Sequence, residues 1–162
     1  MNKAFRASLL AAACLAAFAS ASAATDTANM TVKITVTATC DIHTVAPTDV
    51  DFGSVASTAT NVASTGGVLT VKCTTGTPYT IGLDNGLNFS TTRQMKNGTT
   101  NFVGYGLFRD AAFSNAWGST VPLSAAGTGN GANQTFTVYG RVPSAASAAG
   151  AYTDTVIATV TY

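Results

Sequence analysis

The chain contains no glutamate and little charge of either sign, with eight Lys and Arg against seven aspartates in 162 residues. That near-neutral balance lacks the clustered Lys/Arg footprint a nucleic-acid partner calls for, and it keeps repulsion between copies low. Three cysteines and a single histidine, His43, are too sparse for a metal ligand set. Long apolar runs are missing as well. The longest, Leu9 to Phe18, falls short of the roughly 18 residues a membrane helix needs, so no membrane insertion is expected. No amphipathic helical periodicity follows it.

What is present begins with an export signal over residues 1–23: Lys3 and Arg6 supply a basic start, the apolar run follows, and Ala21-Ser22-Ala23 offers small residues for cleavage. Cys14 leaves with it, because Ala11 stands where a lipidation site wants leucine. About 139 residues remain, enough for one β-sandwich domain and too few for two ordinary ones. Cys40 and Cys73 are then the remaining cysteines of a chain bound for an oxidising compartment, and one structural disulfide is expected.

Thr, Ser, Ala, Gly and Asn dominate, and apolar residues fall in short alternating runs between Gly, Pro and Asn, which points to an all-β sandwich. The clearest alternation runs from Met30 to Cys40, with Met30, Val32, Ile34, Val36 and Ala38 on one face and Thr31, Lys33, Thr35, Thr37 and Thr39 on the other. Further strands are predicted over 67–75, 78–83, 102–109 and 134–142. Asp84-Asn85-Gly86 and Asn97-Gly98 are expected turns. Residues 124–133, rich in Gly, Ala and Asn, read as a flexible loop. The last predicted strand, Tyr152 to Tyr162, puts Tyr152, Val156, Ala158, Val160 and Tyr162 on one face and ends the chain. About six convincing strands follow Cys40, fewer than the seven of an immunoglobulin-like sandwich, and the expected gap lies beside the C-terminal strand.

The fragments Cys40-Asp41-Ile42, Asp51-Phe52-Gly53, Val71-Lys72-Cys73-Thr74, Tyr79-Thr80-Ile81, Arg93-Gln94-Met95, Tyr105-Gly106-Leu107-Phe108, Trp117-Gly118, Val138-Tyr139-Gly140-Arg141 and Gly150-Ala151-Tyr152-Thr153-Asp154-Thr155 stand in an order and spacing that resembles the spore coat protein U domain family. That family includes the subunits of archaic (Csu-type) chaperone-usher pili. The resemblance implies an incomplete immunoglobulin-like β-sandwich completed by donor-strand complementation, a form of strand addition to an open sheet edge. It divides the chain into a signal (1–23), a donor extension (24–39) and a pilin domain (40–162), with Met30, Val32, Ile34, Val36 and Ala38 as donor contacts. It names as partners other pilin subunits, a periplasmic chaperone and an outer-membrane usher, and places the product at the cell surface in attachment or biofilm. Shaft or adaptor is the expected position, since a tip adhesin carries a second domain and gives no strand.

Enzymatic readings lack their context. Asp51-Phe52-Gly53 spells a kinase magnesium motif without the accompanying loops, and the glycines of 127–131 precede no helix, so turns are expected at both. Asp41 beside His43 suggests a dyad, but no nucleophile motif accompanies it. Asp49, Asp51 and Asp84 lack the dense spacing of a calcium loop. No cofactor is expected. The rival function is a secreted carbohydrate-binding or spore-coat module, with Trp117, Phe113 and Tyr105 as the stacking platform.

Overall fold

The structure, a computed structural model, describes residues 22–64 and 66–162. The predicted export signal, including Cys14, lies outside the described residues except for Ser22 and Ala23. The chain divides into two units, Met1–Thr35 and Val36–Tyr162. In the first, residues 22–35 form no strand, and Met30, Val32 and Ile34 are 87–88% exposed. The run with the clearest strand alternation thus forms no strand before Cys40, and its first cross-chain backbone bond among the described residues is at Thr39, whose carbonyl accepts from Thr74 N–H at 2.9 Å. A strand is stable only with a neighbour that takes its backbone hydrogen bonds.

The second unit is all-β among the described residues. Its strands are β1 (Cys40–Asp41), β2 (Thr60–Ala63), β3 (Gly67–Cys73), β4 (Pro78–Leu83), β5 (Arg93–Asn97), β6 (Asn101–Phe108), β7 (Ala125–Thr128), β8 (Asn133–Ser144) and β9 (Ala158–Thr161). They make a six-stranded sheet in the order β1-β3-β8-β6-β5, with β2 also on β8, and a three-stranded sheet in the order β7-β4-β9. Every pairing is antiparallel. Strand β8 is the spine: Arg141 has Ala63 of β2 on one side and Gly106 of β6 on the other. Strands β2 and β3 follow one another along one edge of β8, with the register slipping by one residue between Val62↔Val142 and Gly67↔Val138.

Alternation decides which side chains fill the space between the sheets. Leu69, Val71 and Cys73 from β3, Val103, Tyr105 and Leu107 from β6, and Val138 and Val142 from β8 are buried against Tyr79, Ile81 and Leu83 of β4. These are the faces the period-two pattern predicts for strands 67–75, 78–83 and 102–109. Trp117, 1% exposed, donates its indole N–H to the Ile81 carbonyl at 2.8 Å and meets Phe136 edge-on. Cys40 and Cys73 are joined in a disulfide opposite one another at the β1–β3 pairing.

Two predicted elements come out differently. Residues 124–133 are in part ordered sheet: β7 pairs with β4 from Ala125↔Ile81 to Thr128↔Pro78, and Ser124, Ala125 and Gly129 are buried. Small residues there serve close approach, since a Cβ on Gly127 would stand 2.5 Å from Tyr79 Cζ. The final strand is shorter than Tyr152 to Tyr162, because before Ala158 its backbone partners are the 84–87 turn and Lys96 of β5, which form no continuous ladder. The Asn97-Gly98 turn joins β5 to β6 in a hairpin with Gly98 at φ +65°. At Asp84-Asn85-Gly86 the chain bends from one sheet to the other, with Gly86 at φ +79° and its N–H donating to Asp84 Oδ1 at 2.9 Å.

Candidate functional site

The core of the second unit is open along one side. A groove of about 870 Å³ is lined by Leu69, Leu107, Val138 and Met95 of the large sheet together with Leu83 of β4. A second hollow of about 860 Å³ adjoins it, sharing Val50, Phe52, Met95 and Tyr152 among its lining residues. Protein interiors are normally close-packed, so hollows of this size beside core residues leave room for a further segment of chain.

One rim is the segment 47–52. It runs beside β3, where Thr48 N–H donates to the Val68 carbonyl at 3.1 Å and Val68 N–H donates to Thr48 Oγ1 at 2.8 Å. Val50 and Phe52 turn inward, while Asp49 and Asp51 are exposed. Glycine makes the seat: a Cβ on Gly140 of β8 would lie 2.6 Å from Val50 Cγ1 and 2.7 Å from Phe52 Cζ. Phe52 also packs edge-on against Tyr105, with ring centroids 6.4 Å apart. Asp51-Phe52-Gly53 ends the rim in a turn, with Gly53 N–H donating to Asp51 Oδ1 at 2.8 Å.

The other rim is the C-terminal segment. Tyr152, Val156, Ala158 and Val160 alternate as half-buried residues packed on the core, against exposed Thr153, Thr155, Ile157, Thr159 and Thr161. Tyr162, predicted on the inward face, is 59% exposed, since it lies beyond the last pairing with β4 at Thr161. On one side the backbone of this segment is engaged. Asp84 N–H donates to the Ile157 carbonyl at 3.0 Å, Leu87 N–H donates to the Thr155 carbonyl at 3.1 Å, and Lys96 and Thr153 exchange both bonds. Antiparallel pairing alternates, so when Ile157 opposite Asp84 points its backbone toward β4, Val156, Ala158 and Val160 point theirs away. Strand β9 is therefore a sheet edge, with donors and acceptors open on its outer side among the described residues.

A polar cluster holds this rim in place. Tyr105 donates its phenol to Asp154 Oδ2 at 2.7 Å, and Asn88 donates both its backbone N–H (3.2 Å) and its side-chain amide (2.9 Å) to Asp154 Oδ1. Asp84 Oδ1 accepts from Ile157 N–H at 2.9 Å. Arg93 Nη2 donates to the Leu83 carbonyl at 2.9 Å, and its Nε to the Asp84 carbonyl at 2.8 Å. Burial, then the bond to Asp154, push the Tyr105 phenol well above its ordinary range, so it stays a protonated donor. Burial pulls the Arg93 guanidinium down from its ordinary value.

The remaining sequence candidates fall elsewhere. The Asp41 carboxylate accepts from the backbone N–H of His43 (2.7 Å) and the Thr44 hydroxyl (3.0 Å), which hold it below the usual carboxylate range. It caps a turn and has no bond to the imidazole. Trp117 and Tyr105 are 1% and 8% exposed, so the stacking platform proposed for them with Phe113 does not exist. Among the described residues no three His, Cys, Asp or Glu side chains converge, and no helix is long and apolar enough to cross a membrane. Periodicity had no means of finding the 47–52 rim or the Asp154 cluster. The rim is too short to show a pattern, and the cluster joins residues 49 and 66 positions apart in the chain.

The family described as Spore Coat Protein U domain matches residues 26–159. The chain is similar to Protein U of Myxococcus xanthus, with 35% identity over 171 aligned positions that cover 96% of each protein. Among solved structures it is similar to a chain of the CsuC–CsuE chaperone–tip adhesion subunit pre-assembly complex from archaic chaperone-usher Csu pili of Acinetobacter baumannii. The TM-score is 0.59 and the identity 27%, over 79% of this chain and 41% of the other. The present chain thus spans less than half the length of that structural relative.

Proposed function

The chain belongs to the Spore Coat Protein U domain family, and on that premise we propose that it is a non-enzymatic structural subunit of a chaperone-usher surface fibre. The observation that carries the reading is the free edge of β9 beside an open apolar groove. An extended segment laid between the 47–52 rim and β9 gains backbone bonds from an unpaired sheet edge and fills the groove, the general chemistry of strand addition. Residues 24–39 supply that segment. Met30, Val32, Ile34, Val36 and Ala38 lie on one face, the first four at 76–88% exposure, and burying each of the larger ones is worth about 1.5–3 kcal/mol. Left free, such a segment and such an edge invite aggregation, which gives a periplasmic chaperone its role as temporary occupant and an outer-membrane usher its role in handing the subunit on.

A subunit that both gives and receives a strand makes a head-to-tail contact that does not close, and the product is a filament. This supports a shaft or adaptor position, with attachment or biofilm as the role of the fibre and export through the periplasm as its route. The test is ladder formation. The exported chain, produced with a periplasmic chaperone, is expected to give heat-labile, SDS-resistant multimers, and neither deletion of residues 24–39 nor Ile34→Asp is expected to give any. Equal ladders from all three forms would sink strand donation. A second reading, a coat module assembled by the same contact, draws on the 35% identity to Protein U across nearly the whole of both chains. Localising the protein on vegetative cells and on spores separates the two.

A further inference from the structure

An apolar stripe drives docking without choosing a register. A slip of two residues along a period-two strand keeps every apolar side chain inward, and Val32, Ile34 and Val36 are close in size and shape. Something other than hydrophobic area has to narrow the alignments.

The run from Met30 to Thr39 carries one charge, Lys33, on the face opposite the apolar side chains, and it is exposed. The 47–52 rim has the matching pattern, with Val50 and Phe52 turned to the core and Asp49 and Asp51 exposed on the outer face. Among the described residues the single hydrogen bond to these two carboxylates is the one from Gly53 N–H to Asp51. The other aspartates around the groove are engaged. Asp154 accepts from Tyr105 and Asn88, Asp84 from Gly86 and Ile157, and Asp41 from His43 and Thr44. The outer face of the opposite rim is neutral, made by Thr153, Thr155, Ile157, Thr159 and Thr161. The outer face of one rim is therefore acidic and that of the other uncharged, and the segment that fits between them bears one cation on its outer face.

Resting on the reading of the groove as a strand acceptor, we propose that Lys33 of an incoming copy lands against Asp49 and Asp51 of the receiving copy, and that this pairing confines the docked strand to the registers that keep Lys33 beside these carboxylates. Opposite charges facing each other across strands favour pairing and like charges disfavour it. On an exposed rim the larger effect is on the rate and specificity of docking, and it weakens with salt.

The experiment follows ladder growth of the chaperone-delivered full chain at low and high salt. It compares Lys33→Glu, the double variant Asp49→Lys/Asp51→Lys, and the triple variant carrying all three reversals. All three positions are exposed, and monomer melting checks that the fold is kept. Wild-type growth is expected to slow as salt rises. Each single-sided reversal is expected to slow it about three- to tenfold at low salt, the triple variant to recover the wild-type rate within about twofold, and an equimolar mixture of the two single-sided variants to grow faster than either alone. The proposal is overturned if Lys33→Glu grows at the wild-type rate with the wild-type salt response, or if the triple variant is no faster than its parents. Lys33→Glu decides the matter alone if the aspartate reversals disturb the monomer. Ile34→Asp run in parallel tells the two failures apart. If it stops ladders while charge reversal does nothing, the register pairing alone is wrong; if ladders survive it, strand donation is wrong.

Discussion

Tyr105 and Asp154 show how much of the site depends on single polar contacts. The phenol reaches Asp154 at 2.7 Å from β6, and Asp154 sits in the segment that forms the groove's C-terminal rim. Loss of a hydrogen bond to a charged group costs about 1.5–3 kcal/mol, so Tyr105→Phe is expected to lower stability by that order at neutral pH. The folded-state phenol titrates above its ordinary value of 10.0, so folding favours the protonated form. The contribution is fully present below about pH 10 and is lost as pH rises beyond it toward the folded-state value. A thermal melting series from pH 7 to 11 should therefore show the gap between wild type and Tyr105→Phe closing above pH 10. A gap that stayed constant would show that folding does not raise the phenol's titration.

At the scale of the element, β9 is a strand with one used and one open side. Ala158 faces Leu83 at a position where its N–H points away from β4. Proline there removes a donor the β4–β9 ladder does not use, a placement tolerated on edge strands, but it deprives an incoming strand of a partner. Ala158→Pro is expected to leave the refolded monomer's melting temperature within a few degrees of wild type and to reduce SDS-resistant ladders several-fold. Thr159→Pro makes the contrast, since its N–H points to β4 and its loss should lower the melting temperature itself. Equal behaviour of the two variants in both measurements would contradict the one-sided pairing of β9. Strand β5 shows why an edge element escapes a search by alternation. Arg93-Gln94-Met95-Lys96-Asn97 has one apolar residue and is half-buried throughout, because its position at the sheet margin shields every side chain partly and none fully.

For the whole molecule, the disulfide ties the start of the second unit to the end of β3. Cys40 and Cys73 are 33 positions apart, and the chain-entropy estimate for a loop of that size is about 3.8 kcal/mol. With one side of the core open, the domain has less burial to draw on than a closed sandwich, and that contribution is a large part of a net stability of about 5–15 kcal/mol. Reduction, or Cys40→Ala with Cys73→Ala, is expected to lower the monomer's melting temperature by 10 °C or more, roughly 4–8 °C per kcal/mol at the small-domain end and about half that for larger ones. The loss should be smaller in the proposed fibre, where a bound strand would stabilise the folded state by mass action.

The sequence by itself determined the fold class, the disulfide and the inward faces of β3, β4 and β6, because alternation with period two is a local property and Cys40 and Cys73 are the two cysteines left once the predicted export signal is set aside. The same alternation predicts a strand from Met30 to Cys40, of which the structure puts only Cys40 in a strand. Tertiary structure alone decided what Trp117 does, since a buried indole bonded to Ile81 and an exposed stacking face are spelled by the same residue. It decided that the glycines of 127 and 129 are packing residues of an ordered strand and its end, because only the ring of Tyr79 and the backbone at Thr74 make their missing side chains necessary. And it decided the shape of the groove. The rims at 47–52 and 152–160, about a hundred residues apart in the chain, line one groove, which no local pattern records.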